Sequence, residues 1–455
     1  MAYNLIVEKY GKIEKAEVKI SPLTLFVGDN NSGKSYLLSL IWAILSGEQD
    51  NTIFSSMQKV LQRKHSDIYN KLVDFAKESA VSEANNNTMI ISGQDAVEII
   101  NSMFEENKDD LVKSIFNYDG MQIGRIAIET DETRMFVLCK KEIEDSRTLI
   151  EVKENNEKRI MGFEFPKNRD IVRVVSAKIL REIVEMILRG DIRENETYYL
   201  PAARTGFMLA KNTINQVGRK KTFDIVEIKQ SDIEPQVTPF PKTIIHFLDC
   251  MDNLNTHRKT QKYDELVKWI IENMSKGDVE CVDENSGNVQ YIPEGMKQGI
   301  PLRATSGVVT ELTPLLLLLK YSKQMGCLCY EEPEMCLHPQ LQLQMAKLMV
   351  RMVNKGIRVV ATTHSDIIIQ HINNICQLKT VEKNELIEKA GLKWQDLMDI
   401  NNVSVYQFED KGEITVVKSI EPRENVFEVD SFITALRKIL EQSIDVTNII
   451  NGEEE

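Results

Sequence analysis

Apolar and polar positions alternate from Tyr3 to Ile20 and turn at Gly11, which predicts two strands joined by a turn. Residues 23–27 form a continuous apolar run, the pattern of a buried strand, and residues 33–45 follow at helical period until Gly47 stops them. An antiparallel pair ahead of that buried strand departs from a plain doubly wound order and predicts a mixed sheet in an α/β chain. Residues 50–117 are mostly helical in period, with a polar break at 83–88 and a helix start at Gly93-Gln94-Asp95 that puts Val97, Ile99, Ile100 and Met103 on one face. The period then shortens, and 123–128, 135–139, 148–152 and 159–165 read as four short strands before helix resumes over 170–189. A central strand runs out at Pro201. Residues 261–275 are helical, and 279–282 and 289–292 flank a turn-rich stretch as a hairpin. A helix over 310–324, a strand over 327–331, a helix from Pro339 to Gly356 and a strand over 357–363 follow. Leu341, Met345, Leu348, Met349 and Met352 recur at helical spacing, which is a core-facing stripe. Last come a strand pair near 403–417 and a helix near 429–442.

The stretch between the first buried strand and its helix is Gly28-Asp29-Asn30-Asn31-Ser32-Gly33-Lys34-Ser35, which fits G-x-x-x-x-G-K-[ST]. A strand, a glycine loop and a helix N-terminus bring backbone N–H groups and the helix dipole to bear on an anion. Gly28, Asn30, Asn31, Ser32, Gly33, Lys34 and Ser35 are therefore the expected nucleotide cradle. Lys34 is expected at the β/γ-phosphates of ATP, and the Ser35 hydroxyl on Mg²⁺.

Composition is that of an ordinary globular chain, and no apolar run approaches the ~18 residues of a membrane span. The N-terminus reads as lacking a signal peptide, and seven cysteines without C-x-x-C spacing suit a reducing compartment, so a cytoplasmic setting is expected. Cys327 and Cys329 share one face of a strand, so core packing explains them better than a zinc site with Cys336 and His338. A net charge of −13 argues against a chain-wide basic stripe for DNA. Arg219-Lys220-Lys221 and His257-Arg258-Lys259 are the clear basic clusters, and they read as solvated loops.

The strand over 327–331 ends in Glu331-Glu332-Pro333-Glu334. An acid at a strand end can hold a metal, and the next acid can orient or deprotonate a water, so Glu331 is assigned to Mg²⁺ and Glu332 to the attacking water. His364 ends the next strand, where it can help place that water. Ser306 is a natural N-cap, and Ser306-Gly307 at a helix N-terminus offers a hydroxyl and N–H groups to a phosphate. With one phosphate site already formed by residues 28–35, the phosphate met by Ser306-Gly307 is expected on another subunit.

Together GDNNSGKS (28–35), ATSG (304–307), CLCYEEPEMCLHP (327–339) and VVATTHSD (359–366) resemble the ABC-type ATPases of the RecF, SMC and OLD kind. The EEPE…LHP form with YLPAAR (199–204) looks closest to OLD-like AAA ATPases of bacterial anti-phage systems, such as the ATPase subunits of PARIS and Septu. The resemblance implies a P-loop NTPase of ABC-ATPase type: a mixed sheet with flanking helices and a mainly helical insertion. It implies a head-to-tail homodimer or higher homo-oligomer with composite ATP sites. Departures are Glu331 in place of the usual aspartate, a signature without its second glycine and glutamine, and no recognisable Q-loop glutamine; Arg204 is a weak substitute near the nucleotide. The expected organisation is an ATPase segment at 1–49, an insertion at 50–195 that is β-rich near 122–165, the rest of the ATPase at 196–375 and an α/β extension at 376–455. No spaced D-x-D follows His364 and no heptad run persists, so neither a nuclease domain nor a long coiled coil is expected. The resulting expectation is an ATP-hydrolysing switch that controls a separate effector, such as a nuclease, in anti-phage defence. The alternatives are a RecF/SMC-like DNA-binding repair ATPase that uses the basic clusters, and a non-hydrolytic ATP-binding scaffold.

Overall fold

The computed structural model describes residues 3–81, 88–130, 133–143, 147–155, 158–166, 172–192, 195–211, 213–214, 240–256, 259–282, 288–381 and 384–451. In chain order it opens with strands β1 (Asn4–Tyr10), β2 (Ile13–Lys19) and β3 (Leu23–Gly28), then helix α1 (Lys34–Ser46). Helices α2 (Asp50–Ile53), α3 (Met57–Lys64) and α4 (Ser66–Val81) lead to β4 (Thr88–Ser92) and the long α5 (Gly93–Phe116). Strands β5 (Arg125–Glu129), β6 (Met135–Ile143), β7 (Arg147–Glu154) and β8 (Lys158–Pro166) precede α6 (Val172–Arg189) and β9 (Glu196–Leu200). Residues 204–211 form α7, followed by α8 (Lys242–Asp252) and α9 (Asp264–Ile270), which continues as a π-turn through Ser275. The hairpin is β10 (Gly277–Cys281) and β11 (Val289–Pro293), with a short β12 (Ile300–Pro301) beside it. Then come α10 (Gly307–Tyr321), β13 (Met325–Glu331), α11 (Pro339–Asn354), β14 (Arg358–Thr362), α12 (Asp366–Leu378) and α13 (Asn384–Lys389). Strands β15 (Val403–Asp410) and β16 (Thr415–Ile420) and helix α14 (Asp430–Asn451) complete the described chain.

Two compact units divide these elements: residues 1–20 with 43–194, and residues 21–42 with 195–455. In the first, β5, β1 and β2 pair antiparallel in that order, so one of the four short strands after 122 joins the N-terminal hairpin. The other three join β4 in an antiparallel sheet β4-β6-β7-β8. Its edge strand β4 falls in the stretch whose composition reads as helical. Five residues are too few to display a period, and β4 is formed by pairing with β6 across residues distant in sequence. Ser92 caps α5 by accepting the Asp95 N–H at 3.0 Å, and the predicted face of Val97, Ile99, Ile100 and Met103 is buried. Asp50 binds Arg181 at 2.9 Å and also pairs with Arg189, which ties α2 to α6.

In the second unit the strand order is β16-β15-β3-β14-β13-β9. All neighbours are parallel except β15 and β16, so the sheet is mixed, as expected. Strands β3, β13 and β14 are rich in apolar residues and buried over nearly their whole length, the pattern of a buried parallel sheet. Leu312, Leu315, Leu316 and Leu319 of α10 and Met345, Leu348, Met349 and Met352 of α11 fill this core. Cys327 and Cys329 are buried in β13. The segment after 376, set apart by sequence as an extension, supplies β15 directly beside β3. Of the basic clusters, residues 219–221 and 257–258 lie outside the described residues, and Lys259 pairs with Glu280 at 3.7 Å. Helix α14 presents Ile439, Leu440, Ile444, Val446, Ile449 and Ile450 to solvent. Among the described residues, no helix is long and apolar enough to cross a membrane.

Candidate functional site

Parallel strands β3, β14 and β13 bring their carboxyl ends to one level, with Phe26 opposite Thr362 and Thr362 opposite Glu331. In open α/β sheets ligands bind in the crevice beyond such ends. The candidate residues lie on the three turns that leave this edge.

Gly28 takes φ +122°, and a Cβ there would stand 2.1 Å from the Phe408 carbonyl oxygen of β15, so only glycine fits. Asp29 donates its N–H to the same carbonyl at 3.2 Å, and its Oδ2 accepts the Asp410 N–H at 3.0 Å. Asn30 and Asn31 are exposed, and Asn31 is left-handed at φ +57°. Ser32 is buried and donates Oγ–H to the Asp29 carbonyl at 2.7 Å. Gly33, at φ +91°, starts α1 by accepting the Leu37 N–H at 3.1 Å. Ser35 is exposed in the first turn of α1. Lys34 is buried, and its ammonium donates to the carbonyls of Gly28 (3.1 Å) and Asp29 and to Ser32 Oγ (3.3 Å). Burial pulls its pKa down to about 8, while Glu332, Asp29 and Glu334 hold it up.

Glu331 Oε2 accepts the Ala202 N–H at 2.9 Å, and the Tyr199 hydroxyl also bonds this carboxylate. Tyr199 reaches Ser39 of α1 at 3.3 Å, so a buried tyrosine links the strand-end acid to the helix that carries Ser35. Burial first, and Glu331 next, push the Tyr199 hydroxyl well above its ordinary pKa. Glu332 is left-handed at φ +42° and donates its N–H to the Thr362 carbonyl at 2.9 Å. Sparsely populated backbone of this kind persists where the surroundings over-determine it. Burial and the neighbouring Glu331 raise the Glu332 pKa against the pull of Lys34 and Arg204. His364 Nε2 stands 4.0 Å from Glu332 Oε1, and the ring bonds the Gly28 carbonyl. Burial, then Lys34, push its pKa down, which favours the neutral ring.

Lys34, Ser35, Glu331, Glu332 and His364 thus gather at one edge of the sheet. Ser306 and Gly307 have other partners. Ser306 Oγ caps α10 from the Val309 N–H at 3.5 Å, and Gly307 lies against the Cys336 side chain, 3.7 Å from Sγ at its Cβ position. Among the described residues, no hydrogen bond or ion pair joins Ser306 or Gly307 to residues 28–35. Arg204 departs from the sequence expectation. It is fully buried and bonds the carbonyls of Glu331 and Glu332, so it meets the acid pair from behind instead of lining the crevice.

Glu334 was not singled out in the sequence. Its Oε1 accepts the His364 N–H at 2.6 Å, which fixes the turn that presents the histidine, and burial raises its pKa. The signal available was a third acid two residues after the pair, on the far side of Pro333. The Ser35 hydroxyl and the Glu331 carboxylate are hard oxygen donors of the kind Mg²⁺ prefers.

Among curated proteins, none matches the chain. Among solved structures it is similar to the SMC head domain from Thermotoga maritima, at 10% identity and a TM-score of 0.34 over 93% of this chain and 100% of that one. It is similar also to an SMC head bound to the C-winged helix domain of ScpA, at 14% identity and a TM-score of 0.36 over 92% of this chain and 98% of that one. A third is an Smc head domain with an extended coiled coil bound to the C-terminal domain of ScpA derived from Pyrococcus furiosus, at 13% identity and a TM-score of 0.32 over 96% of this chain and 98% of that one. A family model described as the AAA ATPase domain matches residues 1–369, from the first strand past His364, and the chain belongs to the AAA ATPase domain family.

Proposed function

We propose that this chain is an ATP-hydrolysing switch whose site is laid out as in ABC-type ATPases. The observation that carries the reading is the meeting of Lys34, Glu332 and His364 at the carboxyl ends of β3, β13 and β14. The N–H groups of residues 30–35 and the Lys34 ammonium bind the phosphates of ATP. Ser35 and Glu331 hold Mg²⁺, which when bound neutralises charge on the phosphate oxygens. Glu332 accepts a proton from the water that attacks the γ-phosphorus, the bond to the β–γ bridging oxygen breaks, and ADP and phosphate leave. Neutral His364 orients that water.

Ser306 and Gly307, which make no hydrogen bond to residues 28–35 among the described residues, are assigned to ATP held by a second copy, which makes a head-to-tail dimer with two composite sites. The likeness of EEPE…LHP and YLPAAR to OLD-like proteins supports a further assignment: the sensor and ATPase component of an anti-phage system that controls a separate effector.

The test is sedimentation of the Glu332→Gln variant with and without ATP, followed by co-purification with the products of neighbouring genes. The expected result is an ATP-dependent shift from monomer to dimer and a stoichiometric partner. A variant that binds ATP and stays monomeric contradicts the composite site. A variant that dimerises yet returns with no partner removes the effector assignment alone.

A further inference from the structure

Arg204 follows β9 as the first residue of α7, and no part of it reaches solvent. Its guanidinium serves several partners at once. Nη1 donates to the carbonyls of Pro201 at 2.9 Å and Glu331 at 2.7 Å, and Nη2 donates to the carbonyl of Glu332 at 2.9 Å. Nη2 also closes an ion pair with Glu311, and the guanidinium lies 4.7 Å from the centroid of the Tyr330 ring. Glu311 is in the second turn of α10, the helix capped by Ser306, and is likewise fully buried. Its other oxygen accepts the Thr205 hydroxyl at 2.7 Å.

A fully buried ion pair is a poor way to gain stability, because both charges leave water and apolar residues of like volume often do as well or better. The hydrogen bonds point to a different role. Two of them fall on the carbonyls of Glu331 and Glu332, which belong to the peptides before and after the Glu332 Cα at the end of β13. Glu332 also has a left-handed backbone, held at its N–H by Thr362. Arg204 supplies the restraint on the carbonyl side. Its planar fork can reach both carbonyls at once, and Glu311 holds the fork in orientation.

We propose that Arg204, anchored by Glu311, is a positioning residue that holds the Glu332 backbone in its left-handed form and so aims the Glu332 carboxylate. The inference rests on the ATPase reading above. It predicts a split effect. ATP binding depends on residues 28–35 and is left intact, whereas hydrolysis depends on where Glu332 points, and a misplacement of about 1 Å there lowers the rate roughly a hundredfold.

The experiment compares wild type with the double variant Arg204→Met/Glu311→Met, which removes both charges together, and with Glu311→Gln, which keeps shape and loses only the anchor's charge. ATP dissociation constants and single-turnover hydrolysis rates are measured for each, with and without Glu332→Gln. The expected result is ATP affinity within about threefold of wild type, hydrolysis slowed roughly a hundredfold in the double variant, and no loss beyond that of Glu332→Gln when the two are combined, because residues acting as one unit are non-additive. A purely structural role would weaken binding and hydrolysis together, or add its loss to that of Glu332→Gln, and either result overturns the proposal. Should the double variant fail to fold, Glu311→Gln decides by the same criteria. Wild type that hydrolyses ATP beside variants that match it sinks this inference alone, whereas wild type without hydrolysis sinks the ATPase reading and this inference with it.

Discussion

At the scale of single residues, the site is set by backbone conformations that most side chains reject and by charges held partly out of water. Gly28 combines φ +122° with a backbone oxygen 2.1 Å from where a Cβ would stand. Gly28→Ala is expected to lose at least about 1–3 kcal/mol of stability from strain and to abolish ATP binding, read by urea unfolding and nucleotide titration. Lys34 carries a pKa of about 8 in the free protein, and phosphate favours its charged form, so ATP affinity is expected to fall as pH rises through that value. Between pH 7 and pH 9 the loss is roughly tenfold, measurable by titration at fixed ionic strength, and a flat profile would contradict the assignment. In the proposed reaction Glu332 acts as a carboxylate, so its raised pKa is expected to place the acid limb of the hydrolysis profile above the ordinary glutamate range. Glu332→Gln is expected to slow hydrolysis about 10²–10⁴-fold while ATP still binds, as seen by phosphate release beside equilibrium binding. These residues were legible because each motif is short and contiguous. Glu334 was not, since its value lies in a bond to a residue thirty positions away.

Among elements, the strands and helices that carry the motifs follow from local pattern. Continuous apolar runs gave β3, β13 and β14, and the Met stripe gave the buried face of α11. Pairings between distant segments left no such trace. Strand β15 alternates like a surface strand, yet it lies in register with β3, and its Phe408 carbonyl both excludes a side chain at Gly28 and accepts the Asp29 N–H. Phe408 is fully buried, with its ring centroid 5.4 Å from that of Phe26. Phe408→Ala is expected to remove about 3–5 kcal/mol of stability and to weaken ATP binding as the neighbouring loop relaxes. Loss of stability with unchanged ATP affinity would show that β15 supports the sheet without shaping the P-loop. Strand β4 was missed for the related reason that five residues beside long helices carry no period of their own.

For the whole molecule, the arrangement divides into a unit that holds the nucleotide machinery and a unit of helices and antiparallel strands with no chemistry-bearing motif. Family membership covers the first 369 residues and fits the P-loop, the acid pair and His364, which lie in that span. What the sequence left open at this scale is what the unit of residues 1–20 and 43–194 does, because binding surfaces are read from shape and partners more than from spacing. The central claim is that the edge formed by β3, β14 and β13 hydrolyses ATP through Glu332. Phosphate release from ATP with Mg²⁺, measured on wild type, Lys34→Ala and Glu332→Gln side by side, tests it most directly. The account predicts turnover by wild type, neither binding nor turnover by Lys34→Ala, and binding with turnover slowed about 10²-fold or more by Glu332→Gln. Turnover near the wild-type rate in either variant, or its absence in wild type, would contradict it.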